Sequence, residues 1–223
     1  MKRYEINNWI SEAIEFFHAH NFVLPPWALW SPEDWEKAGG VPAEISACQL
    51  GWDVTSFGSG DFYKMGLLLF TTRNGVADPA AGYDKPYAEK IMMVRDSQIT
   101  PRHFHTFKQE DIINRGGGKL IIELWPSDPE KKVLLDREFS ISVDGFNRTL
   151  RPGDKVVLTP GESVCLRPCH AHLFYGEGTV MVGEVSRVND DFTDNCFVDG
   201  MPRFDPIVED EAPRFLLGID YRK

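Results

Sequence analysis

The stretch that decides the fold is His103-Phe104-His105-Thr106-Phe107-Lys108-Gln109-Glu110. On a β-strand, residues two apart point to the same face, so His103 and His105 project side by side into one space. Thr106 to Gln109 suffice for a tight connection. Glu110 can then return on an adjacent strand or turn and add a carboxylate beside the two imidazoles. Two nitrogens and one hard oxygen suit a divalent ion such as Mn, Fe, Co, Ni or Zn. A fourth protein ligand is expected far downstream, where Cys169-His170-Ala171-His172 offers two more histidines. A single His-x-His is ordinarily a surface or structural feature. Here four of the six histidines fall into two such pairs inside strand-like sequence, and Glu110 joins the first, which favours a metal site.

Composition bounds what such a site can serve. A chain of 223 residues, 42% apolar and 12% aromatic, can bury a good core as one large domain. Its formal charge of −10 argues against nucleic acid, which attracts basic patches, and against an anionic membrane surface. A neutral substrate or a cationic metal remains compatible. Cys48, Cys165, Cys169 and Cys196 make no disulfide framework at this length. Cys165 and Cys169 lie in a strand-like segment rather than a zinc knuckle, so reduced thiols are expected. The N-terminal MKRYEINNWISEAIEFF has no apolar run long enough for a signal or membrane helix, and a cytoplasmic location is expected.

Helical periodicity is clear near the start. Ile6, Ile10, Ala13, Ile14 and Phe17 recur at three- and four-residue steps, with Asn8 placed to cap and Pro25-Pro26 to stop the helix. Ser31-Pro32-Glu33-Asp34 predicts a second, short helix with Ser at the cap, ending at Gly39-Gly40. From about residue 50 the pattern changes to short strands: Lys64–Thr72, Lys90–Val94, Leu120–Leu124, Phe139–Val143, Lys155–Leu158, Ser163–Leu166 and Val180–Val185. Asp144-Gly145, Arg151-Pro152-Gly153-Asp154 and Thr159-Pro160-Gly161-Glu162 mark turns between them. Many strands at this spacing indicate a mainly β sandwich or barrel of the jelly-roll kind. One domain is expected: a helical arm over about 1–45, a barrel over about 50–190 and a C-terminal extension over about 190–223.

Gln98-Ile99-Thr100-Pro101-Arg102-His103-Phe104-His105, followed by Glu110 and Gly117, resembles the first motif of the cupin superfamily. Pro160-Gly161 with Pro168-Cys169-His170-Ala171-His172 is similar to its second motif. That resemblance implies a cupin jelly-roll barrel and the metal ligands His103, His105, Glu110 and His172. His172 fits better than His170, because Leu173-Phe174-Tyr175 follows it as an aromatic strand; His170 is the alternative. Tyr87–Ile91, Lys108–Gly118, Gly183–Asn195 and Ile207–Glu211 together resemble the D-lyxose isomerase family over most of the chain. The implied activity is a manganese-dependent aldose–ketose isomerisation of D-lyxose and D-xylulose, usually also of D-mannose and D-fructose, in a homodimer. Co, Ni, Fe or Zn could take the place of Mn.

Such a reaction requires a base able to reach a carbon-bound proton without being bound to the metal. Glu184, in the late strand Val180–Val185, is the first choice, the structural alternative being a carboxylate paired with Arg187 or another cation. Lys108, two residues before Glu110, is a second candidate catalytic group. Lys90, Asp191, Asp194 and Phe174 are candidate sugar contacts; Asp190, Asp191 and Asp194 form an acidic cluster expected on a loop over the barrel mouth. Glu209-Asp210-Glu211 is expected to be a solvated acidic tail. Gly116-Gly117-Gly118 lacks a nucleotide-loop form and predicts a positive-φ turn between strands. Rival readings are a cupin phosphosugar isomerase, for which only Arg102 and Arg115 suggest a basic cluster, a non-haem metal dioxygenase, and a non-catalytic sugar-binding or metal-storage cupin.

Overall fold

The computed structural model describes residues 1–78, 82–191 and 193–222. Pro79 to Ala81, Phe192 and Lys223, the last two within the expected C-terminal extension, lie outside the described residues. Three α-helices come first: α1 (Arg3–Ala19), α2 (Pro32–Lys37) and α3 (Ala43–Ala47). The early strands are β1 (Gly51–Thr55), β2 (Leu67–Arg73), β3 (Tyr87–Val94), β4 (Thr100–His105), β5 (Glu110–Asp128) and β6 (Val133–Leu134). The later ones are β7 (Phe139–Val143), β8 (Phe146–Leu150), β9 (Asp154–Leu158), β10 (Ser163–Leu166), β11 (His170–Arg187) and β12 (Asn195–Phe197).

Among the described residues the named strands pair antiparallel throughout, and β11 is the axis of the sheet. Along its whole length it pairs with β5, from His170 opposite Pro126 to Ser186 opposite Glu110. Its other edge is divided: the first half meets β4, with His172 opposite His103, and the second meets β3, with Glu184 opposite Lys90. One strand therefore carries two sets of functional side chains to a common interior.

Two apolar layers result. Inside the barrel, Leu69, Met92, Ile112, Leu120, Ile122, Val156 and Val182 pack together. On the outer face of β1, β2 and β3, the alternate residues Trp52, Leu68, Phe70, Ile91 and Met93 pack against Ile6, Ile10, Ala13 and Phe17 of α1. Residue alternation in strands and the three-to-four spacing in the helix build these two surfaces from one sequence. No helix among the described residues is long and apolar enough to cross a membrane.

Several details depart from the sequence reading. Asn8 does not cap α1; the helix starts at Arg3, because Glu5 Oε2 accepts the Lys2 N–H (3.0 Å) and so satisfies an otherwise unpaired donor. The helix also ends at Ala19, ahead of Pro25-Pro26, where Asn21 adopts a left-handed turn (φ 59°). The short helix α3 has no counterpart in the sequence reading. Strand β2 begins at Leu67 rather than Lys64, since Asp61 Oδ1 accepts the Lys64 N–H (3.1 Å) and closes a turn there.

The triple glycine is not a turn either. Gly116 to Gly118 lie within β5, where the β5–β11 register shifts at two bulges. Gly117 has φ 86°, and a Cβ there would stand 2.3 Å from Thr179 O, so the bulge requires glycine. Nor is Glu209-Asp210-Glu211 a simply solvated tail. Arg3, buried at the head of α1, donates to Glu209 Oε2 (2.7 Å) and Asp220 Oδ2 (3.1 Å), and the Tyr4 N–H donates to Asp210 Oδ1 (3.1 Å). A buried guanidinium and a helix N-terminus draw these acids onto the helical arm.

Candidate active site

Strand β4 turns His103 and His105 inward, and β11 turns His172 to meet them; the His103 ring centroid lies 5.3 Å from that of His105 and 4.3 Å from that of His172. Each imidazole is oriented from behind by a backbone carbonyl: Nδ1 of His103 to Pro101 O (2.8 Å), of His105 to Asp194 O (3.3 Å) and of His172 to His170 O (3.2 Å). A carbonyl only accepts, so each Nδ1 carries the hydrogen and each Nε2 presents a lone pair. Burial holds His103 and His105 well below the usual histidine pKa, reinforced at His103 by His172 and at His105 by Lys108.

Glu110, the first residue of β5, completes this group. Its Oε1 lies 3.4 Å from His172 Nε2 and 3.6 Å from His105 Nε2. Glu110 Oε1 and His105 Nε2 are buried without a hydrogen-bond partner, an arrangement that is costly unless a cation joins them. Among the described residues no group of three or more His, Cys, Asp or Glu side chains is placed closely enough to hold a metal ion as it stands. The fit to a divalent ion lies in the donors themselves: three imidazole nitrogens and one carboxylate. His170 stands apart from the cavity, with Nδ1 accepting the Arg167 N–H (3.3 Å) and its ring against Phe139.

Lys108 connects this group to Glu184. Its Nζ is 2.8 Å from Glu110 Oε2, 2.8 Å from Glu184 Oε1 and 3.2 Å from Asn189 Oδ1, which engages all three of its hydrogens. Lys90 donates to the same Asn189 Oδ1 (2.7 Å) and lies 3.5 Å from Glu184 Oε1. Burial pushes Glu110 upward, but Lys108 and then His172 outweigh it and leave the carboxyl at about 2. Glu184 also stays below its ordinary value, burial being overcome by Lys108 and Lys90. Burial opposes the charge on Lys108, yet the two carboxylates hold it above the usual lysine range. All these carboxylates are therefore ionised at neutral pH, and their cations are spent on them.

The three imidazoles, Glu110, Lys108, Lys90 and Glu184 line one cavity together with Phe174, Asp191 and the apolar Phe57, Leu67, Met92 and Phe197. The structure thus brings together nine of the ten residues singled out in the sequence as ligands, catalytic groups or sugar contacts. Asp194 is the exception. Its Oδ1 accepts from Thr106 N (2.8 Å), Thr106 Oγ1 (2.6 Å) and Phe107 N (2.9 Å), and its Oδ2 from Lys108 N (2.9 Å). Rather than meeting a sugar, it clamps the connection between His105 and Glu110, because short turns leave backbone donors that a carboxylate satisfies. Nor does Asp190 reach the cavity; it accepts from Thr193 Oγ1 (2.6 Å).

Sequence reasoning missed Asn189, Asn195, Arg203 and Phe57. Arg203 Nη2 pairs with Asp53 and with Asp191 Oδ2 (3.2 Å). This guanidinium outweighs burial and holds Asp191 far below the carboxylate range. These four lie in segments without periodicity; the charge of Arg203 and the polarity of Asn189 and Asn195 could have flagged them, whereas Phe57 carries no such signal.

The architecture is a cupin jelly-roll barrel with an N-terminal helical arm. It is similar to L-ribose isomerase of Cellulomonas parahominis, with a TM-score of 0.60 at 17% identity over 93% of this chain and 98% of that one. It is also similar to L-ribose isomerase of Acinetobacter sp. DL28, with a TM-score of 0.57 at 16% identity over 89% and 92%; at such identities the likeness bears on the fold alone. A family model described as D-lyxose isomerase matches residues 1–221. D-lyxose/D-mannose isomerase of Escherichia coli O157:H7 is 46% identical over 100% of this chain and 99% of its own length. The Serratia proteamaculans protein of the same description is 45% identical over 99% and 98%. The chain belongs to the D-lyxose isomerase family and is an aldose–ketose isomerase.

Proposed function

We propose that this enzyme interconverts D-lyxose with D-xylulose, and D-mannose with D-fructose, using manganese held by His103, His105, Glu110 and His172. The observation that carries this reading is Lys108, which ties a metal-type carboxylate to a second, unligated carboxylate in one cavity. A divalent ion on those four ligands would supply a Lewis acid for the sugar's O1 and O2.

The chain's own residues do the remaining work. Glu184, ionised and buried beside the site, takes the proton from C2; the C–H electron pair becomes the second C1–C2 bond, and the carbonyl pair moves to O1. The O2 proton passes to O1, O2 becomes the carbonyl, and Glu184 returns its proton to C1. Lys108 and Lys90 hold Glu184 in its basic form until the substrate proton arrives. Phe57, Phe174 and Phe197 offer ring faces to the sugar's C–H groups and exclude water from the reacting carbons.

The cavity's charge supports a free sugar over a sugar phosphate. Lys90, Lys108 and Arg203 face Glu110, Glu184 and Asp191, and each cation is close to a carboxylate. Among the described residues that line the cavity, no cation is left over to pair with a phosphate dianion.

The test is to strip the protein with chelator, restore manganese and follow D-xylulose formation from D-lyxose with oxygen excluded. Turnover that depends on the added ion is expected. Absence of turnover with metal bound would overturn the assignment and direct attention to sugar phosphates and oxygen uptake.

A further inference from the structure

Glu184 is held asymmetrically. Its Oε1 collects Lys108 Nζ (2.8 Å), Ser186 Oγ (3.0 Å) and Lys90 Nζ (3.5 Å). Among the described residues, Oε2 takes no hydrogen bond. We propose that Ser186 is a positioning residue for the base: its hydroxyl fixes Oε1 so that Oε2 is the oxygen that receives the C2 proton. This rests on the reading of Glu184 as the base.

The lysines do not suffice for this task. Lys108 divides its three hydrogens among Glu110, Glu184 and Asn189, and Lys90 is held closer by Asn189 (2.7 Å) than by Glu184. The last torsion of a glutamate side chain is broad and roughly two-fold, so one donor on one oxygen leaves the carboxylate plane poorly defined. Ser186 approaches from a second direction. It follows Glu184 by two residues on β11, which puts both side chains on the same face of the strand, and both are buried.

A hydroxyl also suits a group that changes charge during turnover. Ser186 Oγ has one hydrogen and two acceptors in reach, Glu184 Oε1 at 3.0 Å and Arg187 O at 2.8 Å. While Glu184 is an anion, the charge-assisted bond to Oε1 is the stronger. Once Oε2 has accepted the C2 proton, Oε1 becomes the weaker acceptor of a neutral acid, and the hydrogen can turn to Arg187 O. Neither state leaves a buried donor unpaired, which would otherwise raise the cost of proton transfer. An ammonium such as Lys108 favours the charged state alone.

The experiment compares Ser186→Ala and Ser186→Thr with the parent enzyme, loaded with manganese and assayed on D-lyxose with hydrogen or deuterium at C2. In Ser186→Ala, kcat should fall about 10- to 100-fold, as expected for a reacting group misplaced by a fraction of an ångström. KM and bound manganese should stay within about twofold, and the deuterium effect on kcat should rise as C–H cleavage becomes limiting. Threonine keeps the hydroxyl and should restore kcat to within about threefold. The proposal is overturned if Ser186→Ala keeps its kcat, loses manganese in step with activity, or is matched in its loss by Ser186→Thr. Glu184→Gln separates the two readings. Full activity there would remove the base itself, whereas an inactive Glu184→Gln beside an unimpaired Ser186→Ala would refute only the role of Ser186.

Discussion

The Lys108 ammonium stands between two buried carboxylates, 2.8 Å from Glu110 Oε2 and 2.8 Å from Glu184 Oε1, so Lys108→Met removes one charge, leaving Glu110 without its lysine and Glu184 with Lys90 alone. Breaking a buried ion pair from one side costs about 3–5 kcal/mol. Glu110 gives an independent size: lowering its pKa from 4.5 to about 2 corresponds to about 3 kcal/mol of stability at neutral pH. In a chain of this length about 1 kcal/mol moves the melting temperature by about 2–4 °C, so metal-free Lys108→Met should melt roughly 6–20 °C below the parent. The assay is thermal and urea unfolding of both proteins in chelator from pH 7 downward. The folded pKa of Glu110 lies below its unfolded value, so its stabilisation is complete above about pH 4.5 and is lost as the pH falls towards about 2. The variant lacks most of this term, and the gap between the two proteins should close on acidification through that window. A gap below about 1 kcal/mol at pH 7, or one that widens in acid, would refute the charge structure assigned to the cavity.

Three further outcomes are expected. His103→Ala should lose both retained manganese and turnover while its circular dichroism stays native; unchanged metal content by elemental analysis would refute the ligand set. Glu184→Gln should bind metal normally yet lose about 10²- to 10⁴-fold in kcat, because an amide cannot take the C–H proton. Asp194→Ala strips four hydrogen bonds from the connection between His105 and Glu110 and should weaken manganese binding by about 10- to 100-fold, read by competition against a chelating dye.

The sequence shows the centre of the site more clearly than its rim, for a physical reason. His103, His105, Glu110, His172 and Glu184 lie on strands, where a two-residue period fixes which side chains share a face. Lys108 is legible through its place beside Glu110. Asp194 was misassigned because a carboxylate near a mouth and a carboxylate satisfying a turn have the same composition; only the direction of the Thr106, Phe107 and Lys108 N–H groups distinguishes them. Arg203 and Asp53 are 150 residues apart, so no local pattern could join them. The glycine bulges misled for a related reason. Positive φ signals a change in chain direction, but at Gly117 the change is a local shift of register within one continuous strand pair.

The surface charge of this acidic chain carries little information about what the cavity accepts. Lys90, Lys108 and Arg203 are even more buried than the acids they face, and in that low-dielectric setting each pair is felt far more strongly than the exposed acids outside. The near-balance of charge has a chemical consequence. In the proposed mechanism, a proton leaving C2 would be received by a carboxylate that is ionised yet not a metal ligand, and an ion held by Glu110 and the three histidines would supply a Lewis acid beside it. If Lys108 were absent, Glu110 and Glu184 would compete for one proton and neither role would be secure. By joining both through a single nitrogen, Lys108 would keep one carboxylate available to a metal and the other to the substrate, as the proposed function requires. The same shared cation makes the ligand and the base interdependent, so perturbing Lys108 should impair metal affinity and proton transfer together.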